Sequence, residues 1–298
     1  MINIEDELEK IDFSNQEWWL ENFKKIMSDQ SVSASIREFA ILGQDPVVDL
    51  APKSFLLGRH YSFSRNHAEV MKSRCNSEIL ALDGMSSPKV RHLLNNICSL
   101  EGSADYGDSF KPSYLEIGCG TGSTLVSAMY KNSGCNFFAI DKFCSGKHDQ
   151  SSRERLFDRL RLHGLEESVT FFEQDFNEPP QELKDKSINI YFFDGPHSVK
   201  DHMLALTKYE RFFDDSVLVI IDDWKDPRVQ LGTHLGLSKI NYQLKYWDYL
   251  PAKGVIAPIF QETVAAARLE TSFGDKIPAG DTYRWWNGIM VLLLEKNQ

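Results

Sequence analysis

Residues Tyr114–Gly122 read Tyr-Leu-Glu-Ile-Gly-Cys-Gly-Thr-Gly, and the chain continues as Ser-Thr-Leu-Val-Ser-Ala-Met. No other stretch restricts the fold as much. An apolar run that enters three alternating glycines and leaves as a small-residue apolar segment is a buried strand, a tight turn and the opening of a helix. Glycine suits such a turn because a Cβ would obstruct both a positive-φ backbone and the close approach of a ligand. The N–H groups left unpaired at the helix start then face whatever the turn holds. A chain with this unit at its centre belongs to the α/β class, and a small bound molecule is the first functional expectation.

Spacing narrows the ligand. The dinucleotide fingerprint is G-x-G-x-x-G, whereas Gly118, Gly120 and Gly122 follow G-x-G-x-G, with Glu116 two positions ahead. On these four residues the stretch resembles motif I, E/D-x-G-x-G-x-G, of the class I S-adenosylmethionine-dependent methyltransferases. The resemblance implies that the turn passes under the methionine part of the cofactor, with no pyrophosphate to cradle. It also implies a Rossmann-like sheet of seven strands, mostly parallel, with the last strand antiparallel. Read alone, the same residues remain a glycine-rich βα turn.

The rest of the chain supplies the sheet. Asn136–Asp141, Ser168–Phe172, Ile188–Phe193 and Ser216–Ile221 are short apolar runs, separated by helical patterns at Thr124–Lys131, Ser151–His163 and His202–Tyr209. Such strand and helix repetition gives a parallel, doubly wound sheet. The arginines of Ser151–His163 are expected on a solvated face. Gln243–Tyr249 and Trp285–Leu294 suit antiparallel sixth and seventh strands, with a helical segment near Glu262–Leu269 and a Gly/Pro-rich loop at Gly274–Gly280 between them.

Upstream, Val90, Leu93, Leu94 and Ile97 mark an amphipathic helix over Lys89–Leu100, capped by the turn Asp83–Pro88 and followed by a polar linker, Glu101–Lys111. Gly43–Ser77 is broken by Pro46, Pro52 and Gly58 and reads as irregular or short-helical. Within it His60, Tyr61, Arg65 and His67 are open to two readings, substrate contacts or solvated loop residues. In residues 1–40, Trp18, Trp19, Phe23 and Ile26 share one helical face. That face can pack on its own domain, make a dimer contact or serve as a lid. The expected division is a helical or irregular extension over 1–80 and a cofactor-binding domain over 81–298.

Ligands in open α/β sheets bind beyond the carboxyl ends of the strands, and the acids of this chain collect there. Asp141 ends the second strand about 20 residues after the glycine turn, where a carboxylate can accept both ribose hydroxyls of an adenosine. Phe143 either packs on adenine or fills the core. Asp175 follows the third strand, and the resemblance assigns it to the adenine amino group. Met85 and Ser86 it assigns to a loop closing over the cofactor. Asp194 ends the fourth strand, and Asp222 with Asp223 ends the fifth. Three neighbouring carboxylates raise one another's pKa unless a cation sits among them. Mg²⁺ suits such a set of oxygen ligands, and the alternative is helix capping.

Asp194-Gly195-Pro196-His197-Ser198 and Asp222-Asp223-Trp224 resemble the metal-site motifs of the metal-dependent small-molecule O-methyltransferases, which include macrocin-type sugar enzymes and, more distantly, catechol O-methyltransferase. The resemblance covers about Gly84–Gly236 and implies Asp194, Asp222 and Asp223 as Mg²⁺ ligands. Sugar-modifying members often carry Asp-Gly-Asp, with the second Asp as base. Pro196 stands there in this chain, so His197, which titrates near neutrality, is the expected base, with Asp194 beside it in the catalytic set. The implied reaction is in-line transfer of the sulfonium methyl group to a hydroxyl. Trp224, Trp247, Trp285 and Trp286 are open to two uses, walls of the acceptor pocket or core.

Composition excludes several partners. At 298 residues, 42% hydrophobic and 26% charged, the chain can build one large domain with an appendage, or two small ones. A net charge of −10 repels phosphates, against a nucleic-acid or anionic-membrane partner. The longest apolar runs, such as Val217–Ile221, are too short to span a bilayer, and no basic segment leads into an apolar one at Met1. A soluble, cytoplasmic protein is expected, with free thiols at Cys75, Cys98, Cys119, Cys135 and Cys144. The expected partner is a small-molecule acceptor, and a homodimer is an option through Trp18 and Trp19. Two other readings compete. One is a metal-free N- or C-methyltransferase whose acids bind a cationic amine. The other is a catalytically silent nucleotide-binding protein or a nicotinamide enzyme.

Overall fold

The computed structural model describes residues 50–99, 111–143, 150–251 and 285–298. The helical face of Trp18 and Trp19, Cys144, the segment Glu262–Leu269 and the loop Gly274–Gly280 lie outside the described residues.

In chain order the elements are α1 (Pro52–Glu69), α2 (Ser77–Leu80), α3 (Pro88–Ile97), β1 (Ser113–Ile117), α4 (Ser123–Met129), β2 (Asn136–Asp141), α5 (Gln150–Leu162) and β3 (Val169–Glu173). These are followed by β4 (Ile188–Phe193), α6 (Val199–Thr207), β5 (Phe213–Ile221), α7 (Pro227–Leu237), β6 (Tyr242–Leu250) and β7 (Ile289–Lys296). The seven strands form one sheet in the order β3-β2-β1-β4-β5-β7-β6. β1 through β5 are parallel where they pair, and β7 runs antiparallel to both β5 and β6. The reversed strand is therefore β7 alone. β6 keeps the direction of β5, which corrects the expectation of two antiparallel late strands.

Side-chain alternation divides the interior into two cores, one on each face of the sheet. Tyr114, Ile190, Phe192, Leu218, Ile220, Val291 and Leu293 pack with Leu93, Leu94, Leu125 and Leu156 on the side of α1, α3, α4 and α5. Leu115, Ile117, Tyr191, Phe193, Val219, Ile221 and Leu292 pack with Leu206, Val229 and Trp224 on the side of α6 and α7. Burial on both faces is what turns β1, β4 and β5 into continuous apolar runs.

Helix starts follow local chemistry. Ser87 accepts from the N–H of Val90 with Pro88 as the first helical residue, Ser198 accepts from Asp201, and Asp226 accepts from Arg228 ahead of Pro227. The longest departure from expectation is α1, a continuous 18-residue helix where Gly43–Ser77 reads as irregular. Its buried residues Ser54, Leu57, His60, Tyr61, Ser64 and Ala68 keep helical spacing, but half of them are polar and give no apolar periodicity. The residues proposed there as substrate contacts hold the fold together instead. His60 Nε2 bonds the carbonyl of Ile97 at 2.7 Å, and Tyr61 donates to Asp248 at 2.7 Å, which also pairs with Arg65 at 2.9 Å. His67 bonds the carbonyl of Phe63 in its own helix. The boundary expected near residue 80 falls between α1 and α3, which pack on each other. Among the described residues, no helix is long and apolar enough to cross a membrane.

Candidate active site

The glycine turn joins β1 to α4. Gly118, Gly120 and Gly122 have φ of 90°, 51° and 84°, a region that side chains disfavour. At Gly118 space is the second requirement, because a Cβ would stand 1.9 Å from the carbonyl oxygen of Asp194. That closeness shows how the strand ends align. Gly118 donates to the carbonyl of Ile140, Asp194 to that of Ile117 and Asp222 to that of Phe193. The turn, Asp141, Asp194 and Asp222 thus stand abreast along the carboxyl edge of the sheet.

Asp141 ties β2 to the turn. Its Oδ2 accepts from the N–H of Gly120 at 2.9 Å and its Oδ1 from that of Phe143 at 2.8 Å. Phe143 is buried against Phe171, with ring centroids 5.8 Å apart, and serves the core. Asp175 accepts from Lys142 at 2.7 Å and from the N–H of Asn177 at 2.8 Å. Burial works to raise its pKa, but these hydrogen bonds and the Lys142 charge bring it below the usual carboxylate range.

Glu116, two positions ahead of the turn, points into the core. It is 0% exposed, and its two oxygens accept from Tyr114 and Thr124, each at 2.6 Å. Burial pushes its carboxyl up to about 7, against the pull of those two donors. Alternation along β1 explains the position, since Glu116 shares with Tyr114 the face covered by α3 and α4. It secures the first turn of α4 from below.

Asp83–Ser86 crosses the turn from outside. Thr121 Oγ1 donates to the carbonyl of Asp83 at 3.0 Å, and Ser86 Oγ lies 3.3 Å from Ser123 Oγ. Ser86 is buried and Met85 is 44% exposed. Arg159 of α5, expected on a solvated face, is buried beneath this segment.

Beyond β4 and β5 the structure brings together Asp194, His197 and Asp223, each offering one donor atom, all within 4.8 Å of one another. His197 Nε2 and Asp223 Oδ2 are 2.9 Å apart, and Asn287 donates to Asp223 Oδ1. This differs from the expected ligand set. Asp222 is only 2% exposed and turns back to accept from the N–H of Asp223 at 2.7 Å, leaving His197 as the third member. Asp223 has φ of 54°, a left-handed conformation that Asp tolerates, and this swings its carboxylate toward the imidazole.

The charges of the cluster follow from its packing. Burial first, and then the carboxylates of Asp222 and Asp223, hold Asp194 well above the ordinary range, and Asp222 is raised by burial and Asp223. Burial would raise Asp223 as well, but the hydrogen bond and charge of His197 keep it low. Burial would lower His197, and its bond to Asp223 raises it instead. Behind the pair, His202 is buried with neither ring nitrogen hydrogen-bonded, and burial followed by the charge of His197 pushes its pKa down to about 3. It is neutral.

Of the four tryptophans, Trp224, Trp247 and Trp285 are core residues and Trp286 is partly exposed. Asn287 escapes sequence reasoning, although Asn287-Gly288 is a turn signal in its own right. A separate cavity of about 640 Å³ lies at the opposite, amino edge of the sheet, between Ser113, Asn136, Val169 and Asn189. It contains none of the residues above.

A family model described as a methyltransferase domain matches residues 115–224. No curated protein matches the chain. Among solved structures, TrmN from Thermus thermophilus is similar at 15% identity and a TM-score of 0.44, over 74% of this chain and 52% of that one. The O-methyltransferase from Bacillus cereus, solved with SAH, is similar at 10% identity and a TM-score of 0.41, over 94% of this chain and 100% of that one. Likenesses this distant carry no argument about substrate. The matched segment runs from β1 to the end of the acidic cluster, with the glycine turn, Asp141 and Asp194 inside it. Residues 115–224 are thus similar to a methyltransferase domain, and the glycine turn and the acids at the strand ends fall within that similarity.

Proposed function

We propose that the protein transfers the methyl group of S-adenosylmethionine to a hydroxyl of a small-molecule acceptor such as a sugar, polyol or phenol. The observation that carries this reading is the His197–Asp223 pair at 2.9 Å, beside Asp194 and next to the glycine turn. A base held by a carboxylate is what a weak oxygen nucleophile needs.

In the step, a lone pair of the acceptor oxygen attacks the methyl carbon in line, and the carbon–sulfur bond breaks with its electrons going to sulfur. The positive sulfonium becomes the neutral thioether of S-adenosylhomocysteine. The hydroxyl proton goes to His197. Because Nε2 faces Asp223, Nδ1 is the nitrogen left to receive it, and Asp223 stabilises the imidazolium that forms. The glycine turn and Asp141 hold the cofactor, with Asp175, Met85 and Ser86 at its adenine side and outer wall.

A divalent ion fits the donor set. Two carboxylates and an imidazole converge within 4.8 Å, and burial followed by the neighbouring carboxylates raises Asp194, a cost that a bound cation would relieve. Asp194 and Asp223 would hold Mg²⁺, with Asp222 supporting them from behind, and the ion would supply Lewis-acid polarisation of the acceptor oxygen. The negative overall charge favours a small acceptor over a nucleic acid.

Calorimetric titration with S-adenosylhomocysteine, with NAD⁺ as control, followed by methyl-release assays across hydroxyl and amine acceptors with and without EDTA, tests the reading. Binding of the first ligand alone and EDTA-sensitive transfer to hydroxyls are expected. Transfer to amines unchanged by EDTA would replace it with metal-free N-methylation, and binding without transfer to any acceptor would leave a nucleotide-binding protein.

A further inference from the structure

We propose that Arg159 is a positioning residue for the cofactor, acting through the segment Asp83–Ser86 and the glycine turn that it joins. The inference rests on the glycine turn being the seat of S-adenosylmethionine. Arg159 lies on α5 between Leu156 and Leu160, both inaccessible, and is itself only 8% exposed. Burying a guanidinium is costly unless its donors are used, and here they are used on two separate pieces of chain. Nη1 donates to the carbonyl of Asp83 at 2.9 Å and to that of Thr121 at 2.6 Å, and Nη2 bonds the Asp83 carboxylate.

The Thr121 carbonyl belongs to a peptide plane inside the glycine turn. The N–H of that plane, on Gly122, donates to the carbonyl of Cys119 at 2.8 Å, so the plane is held from both sides and Arg159 supplies one of them. The Asp83 carbonyl receives Thr121 Oγ1 as well as Arg159. One guanidinium therefore sets both the floor of the cofactor cleft and the segment lying across it.

Two further contacts show that the segment is seated. Arg91 of α3 donates to the carbonyls of Leu80 and Leu82 at 2.9 and 2.6 Å and to Ser86 Oγ at 2.9 Å, which fixes its two flanks. Gly84 rests so closely on α4 that a Cβ there would stand 2.2 Å from Ser123 Oγ. The loop over the glycine turn is a clamped wall, and Arg159 is the clamp with a hold on both parts.

The test uses the full chain. Arg159→Met, Arg159→Lys and Gly84→Ala are compared with wild type by calorimetric titration with S-adenosylhomocysteine, alongside thermal melting without ligand. Arg159→Met is expected to weaken binding roughly tenfold or more, a loss typical of sub-ångström misplacement of a binding surface. Arg159→Lys should recover part of it, because an ammonium can reach one carbonyl but cannot bridge two in a fixed plane. Gly84→Ala pushes the segment off α4 without touching Arg159 and should weaken binding in the same direction, which keeps the inference open to test even if Arg159→Met fails to fold. In turnover assays the loss should fall on KM for the cofactor, with kcat little changed. Affinity within twofold of wild type in Arg159→Met and Gly84→Ala, with only the melting temperature lowered, would reduce Arg159 to a structural role and overturn the proposal. No binding of S-adenosylhomocysteine by the wild-type chain would overturn the cofactor reading itself, and this role with it.

Discussion

His197 and Asp223 set the pH response at the scale of single residues. The folded pKa of His197 stands above its ordinary value of 6.5 because the hydrogen bond and charge of Asp223 outweigh burial. Stability from the pair is therefore complete below about pH 6.5 and is lost as pH rises through the raised pKa. Turnover has the opposite sign, since a base must be unprotonated, and should climb as pH passes that same point. Asp223→Asn removes the carboxylate charge that helps raise His197 and should move the climb to lower pH, whereas His197→Gln should lower kcat by roughly 10²–10⁴ and abolish the climb. A pH–rate profile identical in wild type and His197→Gln would exclude His197 as the base. Glu116 behaves differently. Burial lifts its carboxyl to about 7 from an ordinary 4.5, so the folded state loses stability as pH rises across that interval, by about 3 kcal/mol in all. Glu116→Gln should flatten the pH dependence of unfolding between roughly pH 5 and 8, as read from denaturant midpoints.

At the scale of elements, the strand-turn-helix of β1 and α4 and the strands β2, β4 and β5 are legible because burial on both faces makes them uninterrupted apolar runs. α1 is not legible. Its inward stripe alternates leucine and tyrosine with serine and alanine, and its partners, Ile97, Asp248 and Glu295, lie far away in sequence. The same limit governs the site. Asp141 and Asp194 can be placed because they end strands, whereas the choice between Asp222 and His197 depends on a left-handed backbone at Asp223 that no pattern announces. Arg159 looks like one more polar residue of an arginine-rich helix until two loops are folded onto it. Two substitutions test these elements. Gly118→Ala, with its Cβ driven onto the Asp194 carbonyl, should cost about 3 kcal/mol or more and eliminate cofactor binding. Tyr61→Phe leaves the buried Asp248 carboxylate with Arg65 alone and should cost about 1–3 kcal/mol in denaturant unfolding without altering affinity for S-adenosylhomocysteine.

For the whole molecule, the glycine turn and the acids that end β2, β4 and β5 line one edge of a sheet that lies between two apolar cores. A cofactor held by the glycine turn and Asp141 would bridge the ends of β1 and β2, and its binding would stabilise the folded chain. S-adenosylhomocysteine at one hundred times its Kd should add about 2.7 kcal/mol, roughly 4 °C in melting temperature for a chain of this size, and NAD⁺ should add nothing. The placement of β7 has a consequence for how the protein is made. This strand, residues 289–296, is the last of the seven in chain order, yet it fills an interior position between β5 and β6, and the turn leading into it brings Asn287 onto Asp223. Until those residues have left the ribosome, β5 has a bare edge, β6 has nothing to pair with, and Asp223 lacks one of its two side-chain partners. Sheet closure and the Asn287 contact to Asp223 therefore both wait for β7, the last strand of the sheet in chain order.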